Sequence, residues 1–174
     1  MAVLKGNGTG IRNDVGNLSA PWLLVPFVAS AVASNGRIPR AVIVGTVASL
    51  LALLGFYVAN SFVLQLGPHS WIEDVRLAVS GGRRWYVLAL VSGPFFGALG
   101  GLWRRSHHQI LGVCAFAVLI AEPIVEWMLK NQSVGGFFVS SPSPSVWLGE
   151  SMVGLIACAS VLLLSERQTS PGHD

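Results

Sequence analysis

The stretch RRWYVLALVSGPFFGALGGLWRR, residues 83–105, decides the fold. The residues from Trp85 to Trp103 carry no charged side chain, and a pair of arginines bounds them on each side. An apolar run of about 18 or more residues crosses the roughly 30 Å hydrocarbon core of a bilayer as an α-helix. Tryptophan rings favour the headgroup level, which suits their position at the two ends of this run. The stretch therefore predicts a membrane-crossing helix.

The composition extends this prediction to the whole chain. Of its 174 residues, 52% are hydrophobic and 11% are charged, whereas about a quarter of the residues in a soluble domain are charged. Similar runs of mostly apolar residues recur, and together they predict an all-α, polytopic membrane helix bundle with about five transmembrane helices. The predicted helices cover 18–34, 41–62, 85–103, 109–129 and 146–164. They form a single transmembrane domain over 18–164.

The remaining segments are connections and tails. Ser70 followed by Glu73 forms a capping-box pattern, and Gly81 and Gly82 supply a stop, so we expect a short interfacial helix at about 70–80 that anchors the chain. Residues 1–17 lack the apolar core of a signal peptide and predict a flexible polar tail. Residues 165–174 are expected to form a C-terminal tail.

Two short basic connections predict the orientation. NGRIPR at 35–40 and WRRSHH at 103–108 concentrate arginines beside helix ends, where positive charge favours the cytoplasmic side. With five helices, the C-terminus is then also cytoplasmic. Arg167 lies on the same side as these connections, and the remaining lysines and arginines lie on the opposite side. We therefore expect basic charge to be spread over helix ends rather than gathered in one patch.

Two stretches carry a resemblance to a known family: LSAPWLLVPF at 18–27 and the arginine-bounded run at 83–105. They resemble a family of small multi-pass membrane proteins from actinobacteria that is known only as a domain of unknown function. The resemblance implies a multi-pass fold in a bacterial plasma membrane and no particular activity. The resemblance also implies that members usually have a further helix before the APW element, which we expect this chain to lack.

Glycine spacing predicts how one helix packs. Gly93, Gly97 and Gly101 recur every four residues and form one face of the predicted helix at 85–103, where another backbone can come close. Packing inside the bundle is the favoured interpretation, against the pairs Ala29–Ala33 or Gly45–Ser49. The alternative is that this face mediates a homo-oligomer or docks onto another membrane protein.

The segment AEPIVEWMLK, residues 121–130, places two carboxylates on one helix face. Glu126 is expected to pair with Lys130 at the membrane interface. Glu122 lies about 12 Å deeper than Lys130 at helical rise. An unpaired charge at such depth costs about 2.5–3.5 kcal/mol on insertion scales. We therefore expect Glu122 to face the bundle and to have a partner there.

A polar pocket in the outer half of the bundle is the functional hypothesis for these acids. Its candidate residues are Glu122, Glu126, Glu150, Ser92, Tyr57, Asn60 and Arg84. Several acids in one pocket would suit cation or solute binding, or a proton-linked step. The structural alternative is that Glu122 is ion-paired with Arg83 or Arg84, or hydrogen-bonded to Ser92.

Catalytic and metal sites are not indicated. His107 and His108 are adjacent and lack the spacing of a metalloprotease motif, and Cys114 and Cys158 are interpreted as small apolar residues. We expect no enzyme activity, no metal and no cofactor, and the net charge of +3 has no nucleic-acid footprint. Two function classes remain for this protein of the lipid bilayer. One is a small-solute binding or transport component with an unidentified ligand; the alternative is a non-catalytic accessory or assembly subunit that docks through its glycine face.

Overall fold

The computed structural model describes residues 20–64, 71–106, 108–128, 133–134, 137–138 and 143–169. In these ranges the chain is helical, apart from two short strands and the turns. The helices are α1 (Ala20–Ala33), α2 (Ile38–Leu64), α3 (Trp71–Gly81), α4 (Arg83–Ser106), α5 (Gln109–Met128) and α6 (Pro144–Thr169). The strands β1 (Ser133–Val134) and β2 (Phe137–Phe138) pair antiparallel. The predicted tail at 1–17 lies outside the described residues, and 165–169 continue α6.

The all-α membrane bundle is confirmed. Among the described residues, four helices are long and apolar enough to cross a membrane. They are α2, α4, α5 and α6. The helix α1 is apolar but has 14 residues, a length of about 21 Å. The helix α3 covers the segment where a short helix was predicted.

The helices pack as a group of three and a pair. Helices α1, α2 and α4 pack against one another, and α3 packs on α2. Helix α6 packs mainly against α5, and α5 contacts α1 and α4. Helix α5 therefore joins the pair to the rest of the bundle.

The glycine face of α4 is where the three-helix group is tightest. Gly93, Gly97 and Gly101 are buried. A Cβ placed on Gly97 would lie 2.6 Å from the carbonyl oxygen of Ala41 and 3.0 Å from the Cα of Gly45 on α2. Because α1 and α2 already cover this face, it is not open for docking onto another membrane protein. The alternative function as an accessory subunit would therefore need a docking surface other than the glycine face.

The surface that α1 presents differs from the expected pair Ala29–Ala33. Ala33 is exposed, whereas Phe27, Ser30, Ala31 and Ser34 are buried. A Cβ on Gly100 would meet the carbonyl oxygen of Phe27 and the amide nitrogen of Ala31. The expected α1 pair is therefore wrong, because α1 turns the face with Phe27, Ser30 and Ala31 toward the bundle. On α2, by contrast, Gly45 and Ser49 do meet Gly93.

A tight turn joins α1 to α2 and brings two basic connections together. Asn35 and Gly36 both have positive φ, 51° and 73°, and the amide of Gly36 donates to the hydroxyl of Ser34 at 3.3 Å. A Cβ on Gly36 would lie 3.2 Å from the Cβ of Arg105. The expectation that basic residues are not gathered in one patch is therefore wrong for this end. The close helix crossing brings the two connections side by side.

The glycine contact generates a prediction that compares two alanine substitutions. In Gly97→Ala, the new methyl group overlaps the backbone of α2 at Ala41, so we expect a loss of about 1–3 kcal/mol in the free energy of unfolding. The matched control is Gly55→Ala on α2, where a Cβ would have no neighbour within 4 Å. That variant should be neutral or more stable by about 0.5–1 kcal/mol. Denaturant titration in mixed micelles measures both, and equal effects would contradict the packing argument.

Candidate functional site

The candidate site is built around Glu122, which points into the bundle. It lies on α5 and is 8% exposed, and the neighbouring Pro123 and Leu119 are also buried. Met128, the last residue of α5, lies six positions after Glu122, which is about 9 Å along the helix. Pro123 has no N–H, so the carbonyl of Leu119 loses its usual helical donor. This face of α5 is therefore both polar and enclosed.

The partner of Glu122 is the backbone of α1. The amide nitrogen of Ala20 donates a hydrogen bond to Oε2 of Glu122 at 2.5 Å, and Ala20 is 1% exposed. The first N–H groups of a helix have no partner within the helix, and its positive dipole end favours an anion. Glu122 thus caps α1 from a different helix. Sequence analysis expected Ser92, Arg83 or Arg84 as the partner and missed this one, because every residue except proline carries a main-chain N–H.

Glu126, one turn further along α5, joins α5 to α6. It is half-buried, and its Oε2 accepts a hydrogen bond from the indole nitrogen of Trp147 at 3.1 Å. A buried tryptophan ring usually finds an acceptor for its N–H, so this contact satisfies both groups. The predicted partner Lys130 lies outside the described residues.

Glu150 completes a cluster of three acids. It lies on α6, six residues after Pro144, or about 9 Å from that end of the helix, and it is 6% exposed. Its carboxyl group interacts with those of Glu122 and Glu126. Both oxygens are buried without a hydrogen-bond donor in the described part of the chain. Two neighbouring carboxyl groups can hydrogen-bond only if one of them carries a proton. We call Glu122, Glu126 and Glu150 the acid cluster.

The other predicted pocket residues lie on α2 and α4. Tyr57 packs beside Tyr86, with ring centroids 5.9 Å apart, and a Cβ on Gly82 would overlap the Tyr57 ring. Ser92 is half-buried and Arg84 is exposed. The side chain of Asn60 lies outside the described residues. The structure thus brings the three glutamates together, and participation of the other four residues stays a prediction.

The chemistry of the acid cluster is that of hydrogen-bond acceptors. Across the described ranges, no group of three or more His, Cys, Asp or Glu residues is arranged to hold a metal ion. Ionised carboxylates only accept hydrogen bonds. Glu122 and Glu126 receive N–H donors, and Glu150 receives no N–H donor from the residues that the structure describes. The arrangement can therefore receive a proton or a donor group from a solute.

Comparison with known proteins identifies the family. Residues 9–170 match a family of unknown function, DUF6518, and the chain belongs to that family. Searches of the curated proteins and of the solved structures found no match. The resemblance to a family of unknown function is thereby confirmed, while its actinobacterial origin and its additional first helix stay predictions.

The contact between Glu122 and Ala20 predicts different effects for two substitutions. Glu122→Ala leaves the amide of Ala20 buried without an acceptor, which should lower the free energy of unfolding by about 1–3 kcal/mol. Glu122→Gln keeps an acceptor oxygen and loses only the attraction to the helix dipole, about 0.3–1 kcal/mol. Unfolding titrations in mixed micelles measure both. Arg76→Ala, at an exposed position of α3, is the control and should stay within about 0.5 kcal/mol. Equal losses for the two Glu122 variants would contradict the capping role.

Proposed function

We propose that this member of DUF6518 is a non-catalytic component for binding or transporting a small solute, with the acid cluster as its binding site. The solute carries a protonated amine or a similar hydrogen-bond donor, which Glu150 receives beside Glu122. The observation that carries the proposal is the burial of both Glu150 oxygens beside the Glu122 carboxyl group, with no N–H or hydroxyl donor to them from the described residues.

The cost of a buried charge favours a ligand beside Glu150. An ionised carboxylate inside a membrane costs about 2.5–3.5 kcal/mol unless it is paired or protonated. Glu122 and Glu126 avoid that cost through N–H donors on α1 and α6. Among the residues that the structure describes, none gives Glu150 such a donor, so a proton or a bound cation would balance its charge. Exchange between the two would link solute binding to proton movement.

The depth of the acid cluster favours access from one side of the membrane. Glu122 and Glu150 each lie about 9 Å from the helix ends at Met128 and Pro144. The basic connections at 35–40 and 104–108 lie at the opposite ends of the helices. If these connections face the cytoplasm, as positive charge in short loops favours, the site opens toward the outside of a bacterial plasma membrane.

A panel of small amines tests the proposal. We expect at least one of methylammonium, guanidinium, choline or a short diamine to raise the thermal unfolding temperature of the purified protein. A ligand at 100 times its Kd stabilises the folded state by about 2.7 kcal/mol. Glu150→Gln removes the charge but keeps the shape, so the stabilisation should fall sharply in that variant.

The control for this test is Glu73→Gln, an equal change of charge at an exposed position of α3. This variant should respond to the amines as the wild type does. The proposal fails if no amine stabilises the wild type, or if the responses of wild type and Glu150→Gln are the same.

The proposed orientation has its own test. Fusion of a reporter after Asp174 should give a fluorescent cytoplasmic reporter and an inactive exported phosphatase, because the C-terminus is expected in the cytoplasm. An active phosphatase at this position would reverse the orientation and place the acid cluster near the inner surface.

A further inference from the structure

A basic groove lies at the end of the bundle away from the acid cluster. The turn between α1 and α2 and the end of α4 line an open surface cavity of about 920 Å³. Its lining residues are Asn35, Gly36, Arg37, Ile38, Pro39, Arg40, Arg104 and Arg105. Four of these are arginines and none is acidic. We call this cavity the arginine groove.

Backbone packing brings the two arginine pairs together. The contact of Gly36 with Arg105 places the turn directly beside the end of α4. A Cβ on Gly101 would overlap the side chain of Ala41, so the start of α2 also lies close to α4. The hydroxyl of Ser30 donates to the carbonyl oxygen of Ala41 at 2.7 Å, which fixes α1 to the same point. The arginine groove is therefore preformed by small residues and a tight turn.

Four guanidinium groups around one cavity favour a particular ligand chemistry. Arg37, Arg40, Arg104 and Arg105 are all exposed, and the described lining residues include no acid that could neutralise them. Guanidinium presents its N–H donors in a planar fork that matches phosphate oxygens in pairs. Like charges held close together are also relieved by a bound anion. This chemistry suits an oxyanion such as a phosphate group.

We propose that the arginine groove binds a phosphate group carried by an anionic lipid headgroup or by a free phosphate compound. The apolar residues beside the groove suit the lipid. Ile43 and Leu102, one turn or less from Arg40 and Arg104 along their helices, are 64% and 39% exposed. Acyl chains can lie along these side chains while the headgroup phosphate sits among the arginines.

The test compares two double variants with the same change in net charge. Arg37→Gln/Arg104→Gln removes one arginine from each side of the groove. The control Arg76→Gln/Arg83→Gln removes two exposed arginines outside it, from α3 and from the other end of α4. Native mass spectrometry measures binding of phosphatidylglycerol and, for comparison, phosphatidylcholine to the purified full chain. Isothermal titration measures binding of pyrophosphate.

We expect the groove variant to bind the anion at least about tenfold more weakly than the wild type, because charge-assisted contacts are lost on both sides. The control variant should bind within about twofold of the wild type. Selective binding of phosphatidylglycerol identifies a lipid headgroup as the source of the phosphate, and selective binding of pyrophosphate identifies a free phosphate compound. Either result supports the groove only if binding is lost in the groove variant. The proposal is overturned if phosphatidylglycerol binds no better than phosphatidylcholine and pyrophosphate does not bind. It is also overturned if the two double variants lose binding equally.

Discussion

The hydrogen bond from the Ala20 amide to Glu122 is the contact on which the functional end of the bundle depends. It joins the start of α1 to α5 at a depth where water is not expected to satisfy either group. Without the carboxylate, the positive end of α1 would be buried uncompensated. Without the helix end, Glu122 would carry a charge in the membrane. The Glu122 carboxylate and the start of α1 therefore each compensate the cost of burying the other.

Helix α5 connects this contact to the two other acids. Glu126 reaches the indole of Trp147 on α6, and Glu150 approaches from the same helix. In the described part of the chain, Glu122 and Glu126 each receive one N–H donor. Glu150 receives none there, and it is the acid to which we assign the proton or the solute. At the opposite end, the glycine face of α4 draws α1 and α2 close enough for two basic turns to form the arginine groove. The bundle therefore presents an acidic site inside one end and a basic groove at the other.

The membrane helices can be predicted from the sequence, and so can the need of Glu122 for a polar partner. The identity of that partner and the residues that pack between helices cannot. Uncharged runs between tryptophans and arginines mark the membrane helices, because length and charge are set by the bilayer. The depth of Glu122 requires a partner on energetic grounds, but the Ala20 amide has no distinguishing side chain. The inward face of α1 depends on the rotation of a helix that is apolar all round, so Ala29–Ala33 was the wrong pair. Arg37 and Arg105 lie near each other because the backbone of Gly36 packs against Arg105. This contact between distant parts of the chain has no signal in the sequence.

Hydrogen exchange at the amide of Ala20 is the most direct test of the central contact. Measured by NMR in nanodiscs, this amide should be protected in the wild type and in Glu122→Gln, and should exchange rapidly in Glu122→Ala. Protection should persist in Glu126→Ala, because that residue bonds to Trp147 instead. An Ala20 amide that exchanges rapidly in the wild type, or that stays equally protected in Glu122→Ala, would contradict the account.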